Sequence, residues 1–130
     1  MIRTVVVDDS EDLRFLMRMA LSRDSRFEVV GEAANGQEAL KMVDSADPDL
    51  LVLDLAMPIM DGLEVLAILH DRNRPPIVVL SGFANEAMQA RALDLGAVAY
   101  ITKGTDISEV TDVLASAVEA RGRGSSISRD

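Results

Sequence analysis

Two aspartates, Asp8 and Asp9, stand together directly after the apolar run Thr4–Val7. A third, Asp54, follows the run Leu50–Leu53; Ser81 follows Ile77–Leu80, and Thr102-Lys103 follow Val98–Ile101. If these runs are neighbouring strands, Asp8, Asp9 and Asp54 lie ~5–10 Å apart. Carboxylates that close repel, and at least one pKa rises unless a cation neutralises them. A few carboxylates with open positions suit Mg²⁺, a hard ion that keeps several waters. Such an ion can bridge a phosphoryl group and stabilise its developing charge. Lys103 adds a second positive contact and Ser81 a hydroxyl donor, while an aspartate can itself be the nucleophile that forms an acyl phosphate. The residues therefore point to Mg²⁺-dependent phosphoryl transfer. Each also has a plainer reading. Asp8 or Asp9 can cap a helix starting near Glu11, Asp54 a short turn before Pro58, Ser81 can turn the chain before Gly82, and Lys103 can be a surface lysine. Four independent caps seldom supply both a carboxylate cluster and a cation, which favours a site.

The elements that must position these groups are legible as an alternation. Five short, β-branched runs occur at Thr4–Val7, Phe27–Val30, Leu50–Leu53, Ile77–Leu80 and Val98–Ile101. Four of them lack polar alternation, as strands buried on both faces do. Between and after them lie amphipathic stretches. Leu13, Leu16, Met17, Ala20 and Leu21 follow i, i+3, i+4, i+7, i+8, and Val110, Val113, Leu114, Ala117 and Val118 repeat that spacing. Asn35–Ala46, Gly62–Asp71 and Asn85–Leu95 are weaker helical segments, with Gly36, Gly62, Pro75-Pro76 and Gly96 at the joins. The order βαβαβαβαβα predicts an α/β fold with a five-stranded parallel sheet and helices on both faces. In such sheets ligands bind beyond the carboxyl ends of the strands, where the acids and the lysine fall. Phe15 and Phe27 are expected in the core, and His70 at the solvent end of its helix.

Composition narrows the function classes. The chain has 130 residues, 13 basic and 22 acidic, a net charge of −9. One domain suits this length. Without Cys there is no disulfide framework, thiolate zinc site or cysteine nucleophile, and the single His70 excludes a histidine-rich metal site. The negative balance argues against nucleic-acid binding by this domain. No apolar run approaches the ~18 residues of a membrane helix. Asp8 and Asp9 interrupt the N-terminal apolar stretch, which argues against a signal peptide. The expectation is a soluble, cytoplasmic protein with no membrane partner. Residues 121–130 carry a net +2, leaving −11 on residues 1–120. The Gly/Ser-rich composition of 121–130 reads as a flexible tail or linker stub after a domain spanning 1–120.

The strings Val5-Val6-Val7-Asp8-Asp9-Ser10, Leu53-Asp54-Leu55-Ala56-Met57-Pro58-Ile59-Met60-Asp61-Gly62, Leu80-Ser81-Gly82 and Ala99-Tyr100-Ile101-Thr102-Lys103 resemble the receiver domain of two-component response regulators. The resemblance covers about residues 2–120. It implies a doubly wound sheet in the flavodoxin-like order 2-1-3-4-5. It implies that Asp54 accepts a phosphoryl group from a sensor histidine kinase. Asp9 would bind Mg²⁺, or Mn²⁺ in its place, directly, Asp8 often through water, and the Ala56 carbonyl would be a further ligand beside Asp54. Ser81 and Lys103 would contact the phosphoryl oxygens. Ser81 and Tyr100 would form a switch toward the face of helix 4, strand 5 and helix 5, and Pro58 and Gly62 would shape the loop after the acceptor strand. Strand alternation puts Tyr100 and Lys103 on opposite faces of the sheet.

The sequence departs from the family pattern at Gly104, where many receivers have Pro after a cis peptide, and a trans bond is expected here. Ala56 and Phe83 occupy two variable positions, and neither orients a hydrolytic water by hydrogen bonding, so a long-lived acyl phosphate is expected. The partners implied are a sensor kinase, an output domain or downstream protein on the helix 4–strand 5–helix 5 face, and a second copy of the chain. Transcription regulation is the favoured output, with a stand-alone receiver as the alternative. An aspartyl-phosphate phosphatase is disfavoured: that class wants Asp-x-Asp on its first strand, whereas here Asp8 and Asp9 are adjacent and Asp54-Leu55-Ala56 has no second acid. A nucleotide-binding domain is disfavoured because Asp8-Asp9-Ser10-Glu11-Asp12 would repel phosphate.

Overall fold

In the computed structural model, residues 1–72, 75–82 and 85–128 are described, with 121–128 described by backbone alone. The chain alternates β1 (Ile2–Val7), α1 (Glu11–Ser22), β2 (Phe27–Ala33), α2 (Gly36–Ala46), β3 (Leu50–Leu53), α3 (Gly62–His70), β4 (Ile77–Ser81), α4 (Glu86–Asp94), β5 (Ala99–Thr102) and α5 (Ile107–Ser128). All strand pairs are parallel, in the order β2-β1-β3-β4-β5. Among the described residues, no helix is long and apolar enough to cross a membrane.

Two apolar layers follow from the strand period of two. Val5, Val7, Leu51, Leu53 and Val79 pack with α2, α3 and α4 on one side. Val6, Leu50, Val52, Val78 and Leu80 pack with α1 and α5 on the other. The central strands β3 and β4 are buried throughout, as is Thr4–Val7 of β1, whereas the edge strands β2 and β5 are only partly covered. β5 reads in sequence like a central strand, but Ala99, Tyr100 and Thr102 are half-buried because β5 is an edge strand of the sheet. β2 runs on through Gly31-Glu32-Ala33, past the apolar run, with an irregularity against β1 between Thr4 and Val5.

Helix starts are fixed by short polar side chains. Ser10 accepts from the Leu13 N–H, Asn35 from Glu38, and Asn85 from Ala87 and Met88. Asp61 and Glu64 form a reciprocal capping box on α3. Ser10, rather than Asp8 or Asp9, caps α1.

The apolar stripe of α1 is narrower than its spacing suggests. Met17 and Leu21 are buried, but Phe15 is 50 % exposed and Leu16 59 %. Phe15, expected in the core, is a surface residue whose ring lies under the Arg18 guanidinium at 5.3 Å. Phe27 is fully buried. His70 is exposed at the end of α3, its Nδ1 3.0 Å from the Leu95 carbonyl oxygen. The backbone of α5 stays helical past Ala120 to Ser128.

Candidate functional site

Backbone pairing carries past three strand ends and sets the site residues in place. The Asp8 N–H donates to the Ala33 carbonyl (3.0 Å), that of Asp54 to Val7 (3.0 Å) and that of Lys103 to Ser81 (2.7 Å). One rim of the sheet thus receives an acid from β1, an acid from β3 and a cation from β5, with Ser81 closing β4. Lys103 sits in a turn beyond β5, so that turn rather than strand alternation directs its side chain. Gly104 follows at φ +99, a left-handed conformation that proline, fixed near −65°, does not adopt.

Asp8, Asp9 and Asp54 each offer a carboxylate oxygen within 4.8 Å of the others. Asp8 and Asp54 are buried and Asp9 is exposed, so the cluster reaches solvent at Asp9. Lys103 Nζ donates to Asp8 Oδ2 at 2.9 Å and reaches Asp54 Oδ2 at 3.4 Å. The other oxygen of Asp8 accepts from the Ser10 N–H at 2.8 Å. Burial, and then the Asp8 charge, push the Asp54 carboxyl above its ordinary value; Lys103 and the Ala56 N–H offset this only in part. Burial pulls Lys103 downward, but Asp8 and Asp54 outweigh it and hold the ammonium above its ordinary value. A hard, all-oxygen donor set this close fits Mg²⁺.

The loop from Asp54 to α3 is held by close backbone packing. A Cβ on Gly62 would come 2.3 Å from the Asp54 carbonyl oxygen and 2.8 Å from Leu55 Cα. The Gly62 N–H donates to the Leu55 carbonyl (2.9 Å), and the Met60 N–H to that of Pro58 (2.7 Å). Ile59, between them, takes φ +69 and is 71 % exposed. The Gly36 N–H, at the start of α2, ties the loop down through the Met60 carbonyl at 2.9 Å.

Ser81 is fully buried at the end of β4, paired with Thr102. Tyr100 pairs with Val79 and packs against the layer that includes α4, while Ile101 packs in the α1–α5 layer. Ala56 is exposed beside the rim. Phe83 lies outside the described residues. Sequence reasoning missed Arg14, whose Nη1 donates to the Asp8 carbonyl oxygen at 2.6 Å. Its place one turn into α1 after Asp8 was the available signal. Its second partner, Glu32, depended on the pairing of β1 with β2.

Residues 4–115 match the family described as the response regulator receiver domain. The chain is 41 % identical over 120 residues to the protein-glutamate methylesterase/protein-glutamine glutaminase of Halalkalibacterium halodurans, covering 87 % of this chain and 35 % of that protein. It is 34 % identical over 116 residues to the transcriptional regulatory protein PdtaR of Mycobacterium tuberculosis, covering 89 % of this chain and 57 % of that one. The chain thus spans between a third and six-tenths of these relatives. Among solved structures, the receiver domain of the putative response regulator NarL from M. tuberculosis superposes with a TM-score of 0.86 at 31 % identity, covering 91 % of this chain and 96 % of that one. The response regulator domain of Thermotoga maritima CheB gives 0.86 at 28 % identity, covering 92 % and 97 %.

Proposed function

The chain belongs to the response regulator receiver family, whose members are phosphoryl-accepting signalling switches, and on that premise we propose that Asp54 is the residue that takes the phosphoryl group. The observation that carries this is the contact of a buried Asp54 carboxylate with the Lys103 ammonium at the sheet rim, beside Asp8 and Asp9. An Asp54 oxygen attacks phosphorus in the phosphohistidine of a sensor kinase. The P–N bond breaks, an acyl phosphate forms, and the departing imidazole takes a proton.

Asp8, Asp9, Asp54 and the Ala56 carbonyl would hold Mg²⁺, with Mn²⁺ as a substitute of the same donor preference. When bound, the ion neutralises the carboxylates and the incoming phosphoryl oxygens. Lys103 exchanges part of its contact with Asp8 and Asp54 for a phosphoryl oxygen. The Ser81 hydroxyl donates to another, and Tyr100 carries the change to the α4–β5–α5 face. That face is where an output domain, a downstream protein or a second copy docks. Residues 1–120 form the receiver unit in this reading, 121–130 are a tail or linker stub, and the setting is cytoplasmic.

Transcription control is the output we favour, supported by the similarity to the transcriptional regulatory protein PdtaR. The 41 % identity to a methylesterase supports a second reading, a receiver that gates such an enzyme. Incubation with Mg²⁺ and acetyl phosphate tests the core of the proposal. The chain should gain one hydroxylamine-labile phosphoryl group, absent without Mg²⁺ and absent in Asp54→Asn. Labelling that persists in Asp54→Asn would reject the assignment.

A further inference from the structure

The β1–α1 turn carries two of the three clustered carboxylates, and it is braced from outside the cluster. Arg14 Nη1 donates to the Asp8 carbonyl oxygen at 2.6 Å, and its Nε donates to Glu32 Oε1 at 3.3 Å. The Arg14 side chain is 18 % exposed and that of Glu32 26 %, so the pair is mostly covered. Glu32 stands on β2 in register with Val6 and also binds the Arg18 guanidinium. The remaining polar groups of Asp8 are engaged as well: its N–H by Ala33, one carboxylate oxygen by Ser10, the other by Lys103. The peptide that joins Asp8 to Asp9 is therefore fixed on its carbonyl side by α1 and, through Glu32, by the edge strand. A guanidinium holds two directions at once through a rigid fork, which an ammonium on a flexible stem does not.

We propose that Arg14 is a positioning residue of the site: braced on Glu32, it holds the Asp8–Asp9 peptide so that the two carboxylates face a bound cation together. The proposal rests on the reading of the rim as a cation-dependent phosphoryl acceptor. Arg14 acts on such a cation in two opposed ways. Its bracing favours binding, and its charge disfavours it. Arg14→Lys keeps the charge and loses the fork, so it isolates the first effect. Arg14→Gln loses both, and a smaller loss of affinity is expected because a repelling charge is gone. Arg18 remains to pair Glu32 in either variant.

Two measurements test this on the whole chain. In the metal-free protein, ¹⁵N relaxation should show the Asp9 amide falling from an order parameter of about 0.85 to below about 0.6 in both variants. In calorimetric titration with Mg²⁺ alone, Arg14→Lys should raise the dissociation constant about tenfold, as loss of an orienting partner does at other metal sites. Its phosphorylation by acetyl phosphate should recover at saturating Mg²⁺. An Asp9 amide that stays rigid in both variants, or an Arg14→Lys chain that binds Mg²⁺ as tightly as the parent, overturns the proposal. A parent chain that fails to bind Mg²⁺ rejects the cation-dependent reading instead, and the relaxation measurement still decides on Arg14.

Discussion

Asp54 is held above its ordinary pKa, first by burial and then by the neighbouring Asp8 charge. The native chain therefore binds this proton more readily than the unfolded chain does. Stability falls as pH rises from the ordinary carboxylate range through the raised value. Lys103 is raised too, so its contribution is complete below its unfolded value and is lost only as pH climbs through the higher folded one, in strong alkali. In Mg²⁺-free buffer, Asp54→Asn should melt at a higher temperature than the parent at neutral pH. It should also lose the decline between acid and neutral pH. Parallel melting curves against pH for the two proteins would refute this. Asp8 and Asp9 differ in the same experiment. Asp8→Ala strips Lys103 of its 2.9 Å partner and the Ser10 N–H of its acceptor, a loss of roughly 1–3 kcal/mol for the groups left unsatisfied. Asp9 is exposed, and its removal relieves repulsion. Metal-free melts should therefore fall for Asp8→Ala and hold or rise for Asp9→Ala, while Asp9→Ala loses more Mg²⁺ affinity. A metal-free melting point that drops in Asp9→Ala would mark that residue as structural.

Gly62 opens α3 with no room for a methyl group, because its place is set by the Asp54 and Leu55 backbone. Alanine would favour the helix by about 0.8–1.0 kcal/mol, whereas overpacking against rigid backbone costs roughly 1–3 kcal/mol. Sterics should win. Gly62→Ala is expected to lower stability in urea melts and to slow phosphorylation by acetyl phosphate; a stabilised variant would show that the loop yields easily. The elements themselves were largely legible, since buried parallel strands leave unbroken β-branched runs and helices leave apolar residues at helical spacing, as in Leu13–Leu21 and Val110–Val118. What escaped was set by neighbours. The extension of β2 through Glu32 comes from pairing with β1, not from its own apolarity. Leu16 fits the helical spacing and Phe15 was expected in the core, but both are exposed, because α1 presents only Met17 and Leu21 as fully buried residues. The rim itself was readable because each of its acids ends an apolar run. Arg14 was not, because its partners come from the turn after β1 and from β2 at once.

Across the whole molecule, the sheet separates an α1–α5 layer from an α2–α3–α4 layer, and the rim lies where both end. Ser81 and Tyr100 stand on adjacent strands between that rim and the second layer. A hydrogen bond from Ser81 to a phosphoryl oxygen is worth roughly 1.5–3 kcal/mol. Moving a two-state equilibrium from one extreme to the other takes about 5.5 kcal/mol, so in the proposed switch Lys103 and a bound cation would have to supply the rest. Ser81→Ala should remain phosphorylatable at Asp54 but show smaller beryllofluoride-induced NMR shifts across α4, β5 and α5. Undiminished shifts would mean that the signal takes another route. Tyr100 has a further property that depends on the rest of the chain. Tryptophan is absent and tyrosine occurs once, so the tyrosine-band emission of the entire protein originates from this half-buried ring on β5. The molecule thus carries its own optical reporter on β5, the strand between the rim and the face proposed for docking. A change in the burial of that ring appears undiluted in the fluorescence of the whole chain, and a stopped-flow trace can time the switch with no label attached.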